Sequence, residues 1–275
     1  MSQQTASPQS PAKAIVLVVI TGVVAGFLSG LFGVGGGLII VPALMAAFNM
    51  DQRRASATSL VAIILTAGVG MLTYAMNGYV SLVAALFLVA GALVGAQIGV
   101  YLLRKLPEWS LPWIFVGFVV VIIVSQQLHV PTRDAELILD APRALGLIAV
   151  GILSGIFAGL VGVGGGGVIV PGLELLVGVG DLLARGTSLL VMIPTAVTGS
   201  WTNIKHGLAD LKIGLLVGAI AAALTPVGAA VAKSVSPATG NILFACFLLV
   251  LVVNMLAKAY AMRRAKKASE GGVGE

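Results

Sequence analysis

Charge, cysteine and histidine are all scarce in this chain, and each scarcity removes a class of function. Only 9% of the 275 residues are Asp, Glu, Lys or Arg, against about 25% in a soluble domain. With 59% hydrophobic residues and a mean hydropathy of +1.09, no water-soluble surface can be built. The composition implies an all-α, polytopic integral membrane protein. The single cysteine, Cys246, excludes an internal disulfide and a Cys-based metal site. Lying in an apolar run, it reads as a small buried hydrophobe. The two histidines, His129 and His206, fall in different halves without H-x-x-x-H or E-x-x-H spacing. No metal, no cofactor and no catalytic residue is expected, and the chain is not read as an enzyme. The sequence also lacks a G-x-x-x-x-G-K-[ST] loop, which argues against ATP use.

The net charge of +6 does not point to nucleic acid, because of where the charges lie. Lys258, Arg263, Arg264, Lys266 and Lys267 follow the last apolar segment, as a cytoplasmic tail resting on anionic lipid would. Residues 1–12 are polar and rich in Ser, Gln and Pro, the composition of a disordered lead. The apolar segment from Ala14 belongs to a repeat and is read as a retained helix rather than a cleaved signal.

What the chain has in abundance is glycine, and its pattern occurs twice. Gly33-Val34-Gly35-Gly36-Gly37 precedes an apolar run ending at Pro42, and Gly162-Val163-Gly164-Gly165-Gly166 precedes one ending at Pro171. The offset is a constant 129 residues (33 to 162, 42 to 171). It also pairs Thr58-Ser59-Leu60 with Thr187-Ser188-Leu189, Gly78 with Gly207, and Gly99 with Gly228. The chain is therefore two copies of one unit, spanning 13–128 and 143–260, with a linker at 129–142 and a basic tail at 261–275.

Apolar segments are expected at roughly 14–33, 37–49, 55–76, 80–103 and 111–128, and at roughly 143–162, 167–179, 184–204, 211–232 and 238–260. Most approach the ~20 residues that span a bilayer. The two segments after the glycine clusters are too short to cross. They read as half-helices that form re-entrant hairpins with the helix before them. Loop charges then place Arg53-Arg54, Arg104-Lys105, Lys205–Lys212 and both termini inside. The 129–142 linker and Asp181–Arg185 fall outside, with Lys233 the one dissenting charge. Each unit makes an odd number of net crossings, so the two five-segment repeats are inverted, as in many secondary transporters.

GLFGVGGGLIIVP, repeated as GLVGVGGGGVIVP, resembles the signature of the sulfite exporter TauE/SafE family. Ala-Thr-Ser-Leu at 57–60, Gly-Thr-Ser-Leu at 186–189 and the turn from Asn203 to Gly207 followed by Asp210 extend the resemblance over about 15–260. It implies a multi-pass transporter of the bacterial or archaeal inner membrane. Its cargo would be a small sulfur-containing anion: sulfite, sulfoacetate or a related sulfonate. The expected partners are that anion and the lipid bilayer, with a second copy of the chain as a further candidate. An anion channel and a membrane scaffold are the rival readings.

The glycine clusters themselves suggest the chemistry. A helix that begins in mid-membrane presents first-turn N–H groups without intrahelical partners, and about half a positive charge. Glycine lets an anion approach them closely. The candidate substrate-binding residues are Gly33, Gly35, Gly36, Gly37, Gly162, Gly164, Gly165 and Gly166. Thr58, Ser59, Thr187 and Ser188 sit near helix starts, where a hydroxyl either caps the helix or donates to the anion. Asn203, matched by Tyr74 in the first unit, is a polar group within an apolar helix and joins the candidates. Glu174, in the second short helix where the first unit has Met45, is a carboxylate at membrane depth unless it snorkels to the interface. It is a candidate for coupling, with His206 and Lys205. Trp113 and Trp201 read as interfacial belt residues, with a pathway wall as the alternative for Trp201.

Overall fold

The computed structural model describes residues 11–107, 109–128, 139–250, 252, 253 and 256. Most of the polar lead, the acidic part of the linker with His129, and the basic tail lie outside the described residues. Within them the protein is helical throughout, and the helices track the expected segments. They are α1 (Pro11–Phe32), α2 (Gly37–Ala47), α3 (Gln52–Ala75), α4 (Leu82–Lys105) and α5 (Leu111–Leu128). The second half repeats the series as α6 (Ala141–Val161), α7 (Gly166–Val177), α8 (Asp181–Lys205), α9 (Leu211–Ser234) and α10 (Pro237–Val250). By length and composition α1, α3, α4, α6, α8 and α9 can each cross a membrane. Helices α2 and α7 have 11 and 12 residues. At 1.5 Å per residue they reach about 16–18 Å, half of a bilayer core.

Two helix starts differ from expectation, and the caps explain why. Asp51 accepts from the Arg54 N–H, so α3 begins at Gln52. Helix α8 begins at Asp181 after Gly180, which places Asp181 and Arg185 inside a helix rather than in an outer loop. Thr58, Ser59, Thr187 and Ser188 consequently lie about two turns in and do not cap their own helices. Cys246 also departs from its reading: it is exposed on α10. It shares that outward surface with the exposed Leu243, Leu249 and Val250, an apolar face suited to lipid.

The tightest packing joins helices from opposite halves. On α4, Gly91, Gly95 and Gly99 leave no room for a side chain: an added Cβ would lie 2.1, 2.1 and 2.2 Å from the Ile148, Ile152 and Ile156 carbonyls of α6. On α6, Gly151, Gly155 and Gly159 approach Leu88, Ala92 and Ala96 in the same way. The matched pair α1 and α9 repeats it, with Gly26 against the Ala221 carbonyl and Gly30 against that of Thr225. Without a hydrophobic drive between helices in lipid, such close backbone contact is what holds them. Gly95→Leu should therefore lower the thermal midpoint in detergent strongly, whereas Gly117→Leu, at an exposed site with nothing within 4 Å, should leave it unchanged.

The same contacts give helix directions. Successive contacts advance together along α1 and α9 and along α4 and α6, so each pair is parallel. Thr58 meets Asp210 and Gly218 meets Ala62, so α3 runs parallel to α9. Thr187 meets Ser81 and Arg104 meets His206, so α8 runs parallel to α4. Across the middle, Gly70 meets Leu189 and Gly199 meets Leu60, so α3 and α8 are antiparallel. Helices α1, α3 and α9 thus form one parallel set and α4, α6 and α8 an opposed one. The helices matched by the 129-residue offset point in opposite directions.

Candidate functional site

The two glycine breaks meet each other. A Cβ on Gly37 would fall 2.7 Å from both the Gly162 carbonyl oxygen and Val163 Cα. One on Gly166 would fall 2.8 Å from the Gly33 carbonyl oxygen and Val34 Cα, the same contact with the halves exchanged. Both breaks press against Met192, whose Cε would be 2.2 Å from a Cβ on either Gly35 or Gly164. Ile63, matched to Met192 by the offset, lines the other side. Both are fully buried and lie midway along α3 and α8.

The chain reverses direction here through left-handed glycines. Gly33, Gly35 and Gly36 have φ of 69, 69 and 77°, and Gly162, Gly164 and Gly165 have 75, 81 and 82°. Each residue with a Cβ would pay about 1–2 kcal/mol in that conformation. Gly36 and Gly165 serve as N-caps of α2 and α7 and offer no side chain. The first helical bonds run from Ile39 and Ile40 to the Gly36 carbonyl, and from Val168 and Ile169 to that of Gly165. The first break closes a turn over Gly35–Gly36, and in the second no partner is seen among the described residues for the N–H groups of Gly164, Gly165, Gly166 and Gly167.

The duplicated hydroxyls tie the halves together. Ser188 Oγ donates to the Gly33 carbonyl at 3.0 Å, and Ser59 Oγ donates to the Gly162 carbonyl. Thr58 Oγ1 accepts from the Asp210 N–H at 3.0 Å, and Thr187 Oγ1 accepts from the Ser81 N–H at 2.9 Å. The serine protons are engaged with backbone in this conformation, which explains the duplication by cross-bracing. Ser59→Ala or Ser188→Ala leaves a buried carbonyl short of a partner and should cost about 1–2 kcal/mol each. The check is thermal unfolding of each single variant in detergent.

A second duplicated hydroxyl pair lies deeper, and its signal was in the sequence at the same offset. Thr66 Oγ1 donates to the Gly35 carbonyl at 3.0 Å. Its match, Thr195, is equally buried and bonds back to Val191 and Met192.

The remaining candidates lie away from this centre. Asn203 is fully buried near the C-terminal end of α8. Lys205 and His206 are exposed at that end: Lys205 stands 4.8 Å over the Trp201 ring, and His206 Nε2 lies 2.5 Å from Arg104 Nη1. Trp201 is 64% exposed, as an interfacial belt residue would be. Glu174 is at the opposite end and only 4% exposed, so it does not snorkel out. Its charged neighbours are Arg185 and Asp181. Those two form a buried ion pair at 3.1 Å, and Arg185 Nη1 also donates to the Leu31 carbonyl at 2.6 Å, at the end of α1. Sequence reasoning assigned the pair to a loop. The four-residue spacing of opposite charges was the available sign that they share a helix face.

The family described as "Sulfite exporter TauE/SafE" matches residues 2–125 and 147–274, one stretch in each half. The chain belongs to this family. Relatives among known proteins include "Probable membrane transporter protein YunE" of Bacillus subtilis (strain 168), 29% identical over 70% of this chain and 79% of its own. A "Probable membrane transporter protein" of Haemophilus influenzae is 27% identical over 89% of this chain and 98% of its own. This TauE/SafE protein is a multi-pass membrane transporter.

Proposed function

We propose that the protein is a secondary carrier of a small sulfur-containing anion, sulfite or a small sulfonate, which binds between the two glycine breaks. The observation that carries this reading is their mutual contact. Two helix N-termini converge midway along α3 and α8 from opposite halves. Each supplies about half a positive charge without a charged side chain, enough to hold an oxyanion and still release it.

The closed centre fits a carrier better than an open channel. Met192 and Ile63 fill the space between the breaks, and the thioether arm of Met192 is the flexible member. Opposed directions of the matched helices support two repeats inverted in the inner membrane, with cytoplasmic termini and alternating access by rocking of α1, α3 and α9 against α4, α6 and α8. A coupling role for Glu174 belongs to the same reading, since its buried carboxylate lies beside the Asp181–Arg185 pair at one end of that moving boundary. The export direction rests on the family's description alone.

The test is calorimetric binding of sulfite, sulfoacetate, sulfate and thiosulfate to purified protein, followed by counterflow in vesicles with and without a pH gradient. Trans-acceleration is expected. Flux without it means a channel, and absence of binding to all four anions defeats the substrate class.

A further inference from the structure

The two ends of the paired helices α3 and α8 are built on matched positions but finished differently. At one end Tyr74 and Arg185 are both partnered. Tyr74 Oη donates to the Gly30 carbonyl at 2.7 Å, and Arg185 joins Asp181 and the Leu31 carbonyl. These bonds bolt α3 and α8 to the last turn of α1. At the other end the positions matched to Tyr74 and Met71 are Asn203 and Ser200. Both are buried, at 0% and 3% exposure, and neither Asn203 Oδ1, Asn203 Nδ2 nor Ser200 Oγ has a partner among the described residues. They lie three residues apart on one face of α8.

This end is also where other unsatisfied groups collect. Arg53, at the start of α3, donates through Nη2 to the Leu106 carbonyl that ends α4, and its buried Nε has no partner. Arg104, in the last turn of α4, meets His206 at the end of α8, and its Nε is also unpartnered. Gln52 Oε1 is a further buried acceptor without a donor, at the start of α3. Among the described residues Ser29 Oγ, in the last turn of α1 at the bolted end, is one further such atom. Each orphaned group costs about 1–3 kcal/mol unless water or a ligand satisfies it.

We propose that Asn203 and Ser200, at the end of the bundle that also carries Arg53 and Arg104, form a second binding site for a small oxyanion that itself carries an O–H, at this end only. The proposal deepens the anion-carrier reading and rests on it. The chemistry of the donor set selects the ligand. Asn203 Nδ2 donates, and it suits an anionic oxygen. Asn203 Oδ1 only accepts, so a ligand made of acceptors alone leaves it orphaned. A monoprotonated oxyanion such as hydrogensulfite satisfies both faces of the amide. A sulfonate of equal charge without an O–H does not. One hydrogen bond of this kind is worth roughly tenfold in affinity.

Cysteine accessibility tests this in intact vesicles in a Cys246→Ser background. Asn203→Cys and Ser200→Cys are each expected to react with a membrane-impermeant thiosulfonate about tenfold faster than Tyr74→Cys, because an unsatisfied polar site admits water and the bolted end does not. In the calorimeter, at a pH where sulfite is singly protonated, the wild type should bind hydrogensulfite about tenfold more tightly than methanesulfonate. Asn203→Tyr, the residue the fold already accommodates at position 74, should remove that difference. Equal labelling at 74 and 200, or equal affinity of the wild type for the two anions, overturns the proposal. So does an undiminished preference for hydrogensulfite in Asn203→Tyr. Absence of sulfite binding to the wild type, with labelling still confined to 200 and 203, instead defeats the substrate class of the carrier.

Discussion

Gly37→Ala and Gly166→Ala are each expected to remove anion binding and to lower stability by about 3 kcal/mol or more, at the upper end of the cost of overpacking. The reason is what the new methyl meets. At 2.7–2.8 Å from a carbonyl oxygen and a Cα of the opposite break, it faces backbone on both counts. No rotamer change relieves it, and the two breaks must separate. Gly35→Ala and Gly164→Ala meet the mobile Met192 methyl instead, and their cost comes chiefly from φ of 69 and 81°. Gly68→Ala is the control: it adds a methyl on α3 with nothing within 4 Å and should change neither property. The measurements are thermal unfolding in detergent and calorimetric binding of sulfite. If Gly37→Ala and Gly166→Ala bind sulfite as the wild type does, the breaks are not the binding site.

Arg185→Ala is expected to be the most destabilising charge removal, by about 3–5 kcal/mol, the usual cost of breaking a buried pair. It leaves Asp181 and Glu174 buried at 0% and 4% exposure without their cation, and it frees the Leu31 carbonyl as well. Asp181→Asn should cost less, because Arg185 keeps the Leu31 carbonyl and its Glu174 neighbour. Arg185→Lys should not restore the wild type, since one ammonium cannot reproduce two contacts made by separate guanidinium nitrogens. The informative variant is the triple Glu174→Met, Asp181→Gln, Arg185→Ser, which installs the residues found at the matched positions of the first half, Met45, Gln52 and Ser56. There Ser56 Oγ donates to the Val161 carbonyl at 2.8 Å, as Arg185 does to that of Leu31. Unfolding in detergent should place the triple variant well above Arg185→Ala. A triple variant as unstable as the single one would mean that packing of the long side chains, not uncompensated charge, sets the cost.

How far the sequence reached can be read from particular residues. Helix existence was legible because apolar runs in lipid admit few alternatives, and the glycine clusters marked the interruptions. Gly91, Gly95 and Gly99 were legible as close-packing positions, since small residues at four-residue spacing have few other uses in a membrane helix. Helix starts were less so. The hydroxyls at 58, 59, 187 and 188 looked like caps because the apolar runs begin near them, yet Asp51 and Gly180 begin those helices earlier. The partners of these hydroxyls are residues of the other half. Arg185 and Asp181 looked like a loop because charge at a segment edge ordinarily is one. Their burial depends on the end of α1 arriving beside them, more than 150 residues away in the chain.

The sequence by itself determined the helical membrane class, the duplication at 129 residues, and the interruption of each half by left-handed glycine. All three follow from local physics: hydropathy, self-similarity and backbone sterics. Only the tertiary structure decided that the two interruptions touch, that Met192 and Ile63 close the space between them, and that one end is bolted by Tyr74 and Arg185 while Asn203 and Ser200 at the other stay unpaired. Those are matters of which surfaces from distant parts of the chain come within a few ångströms, and no local propensity carries that information.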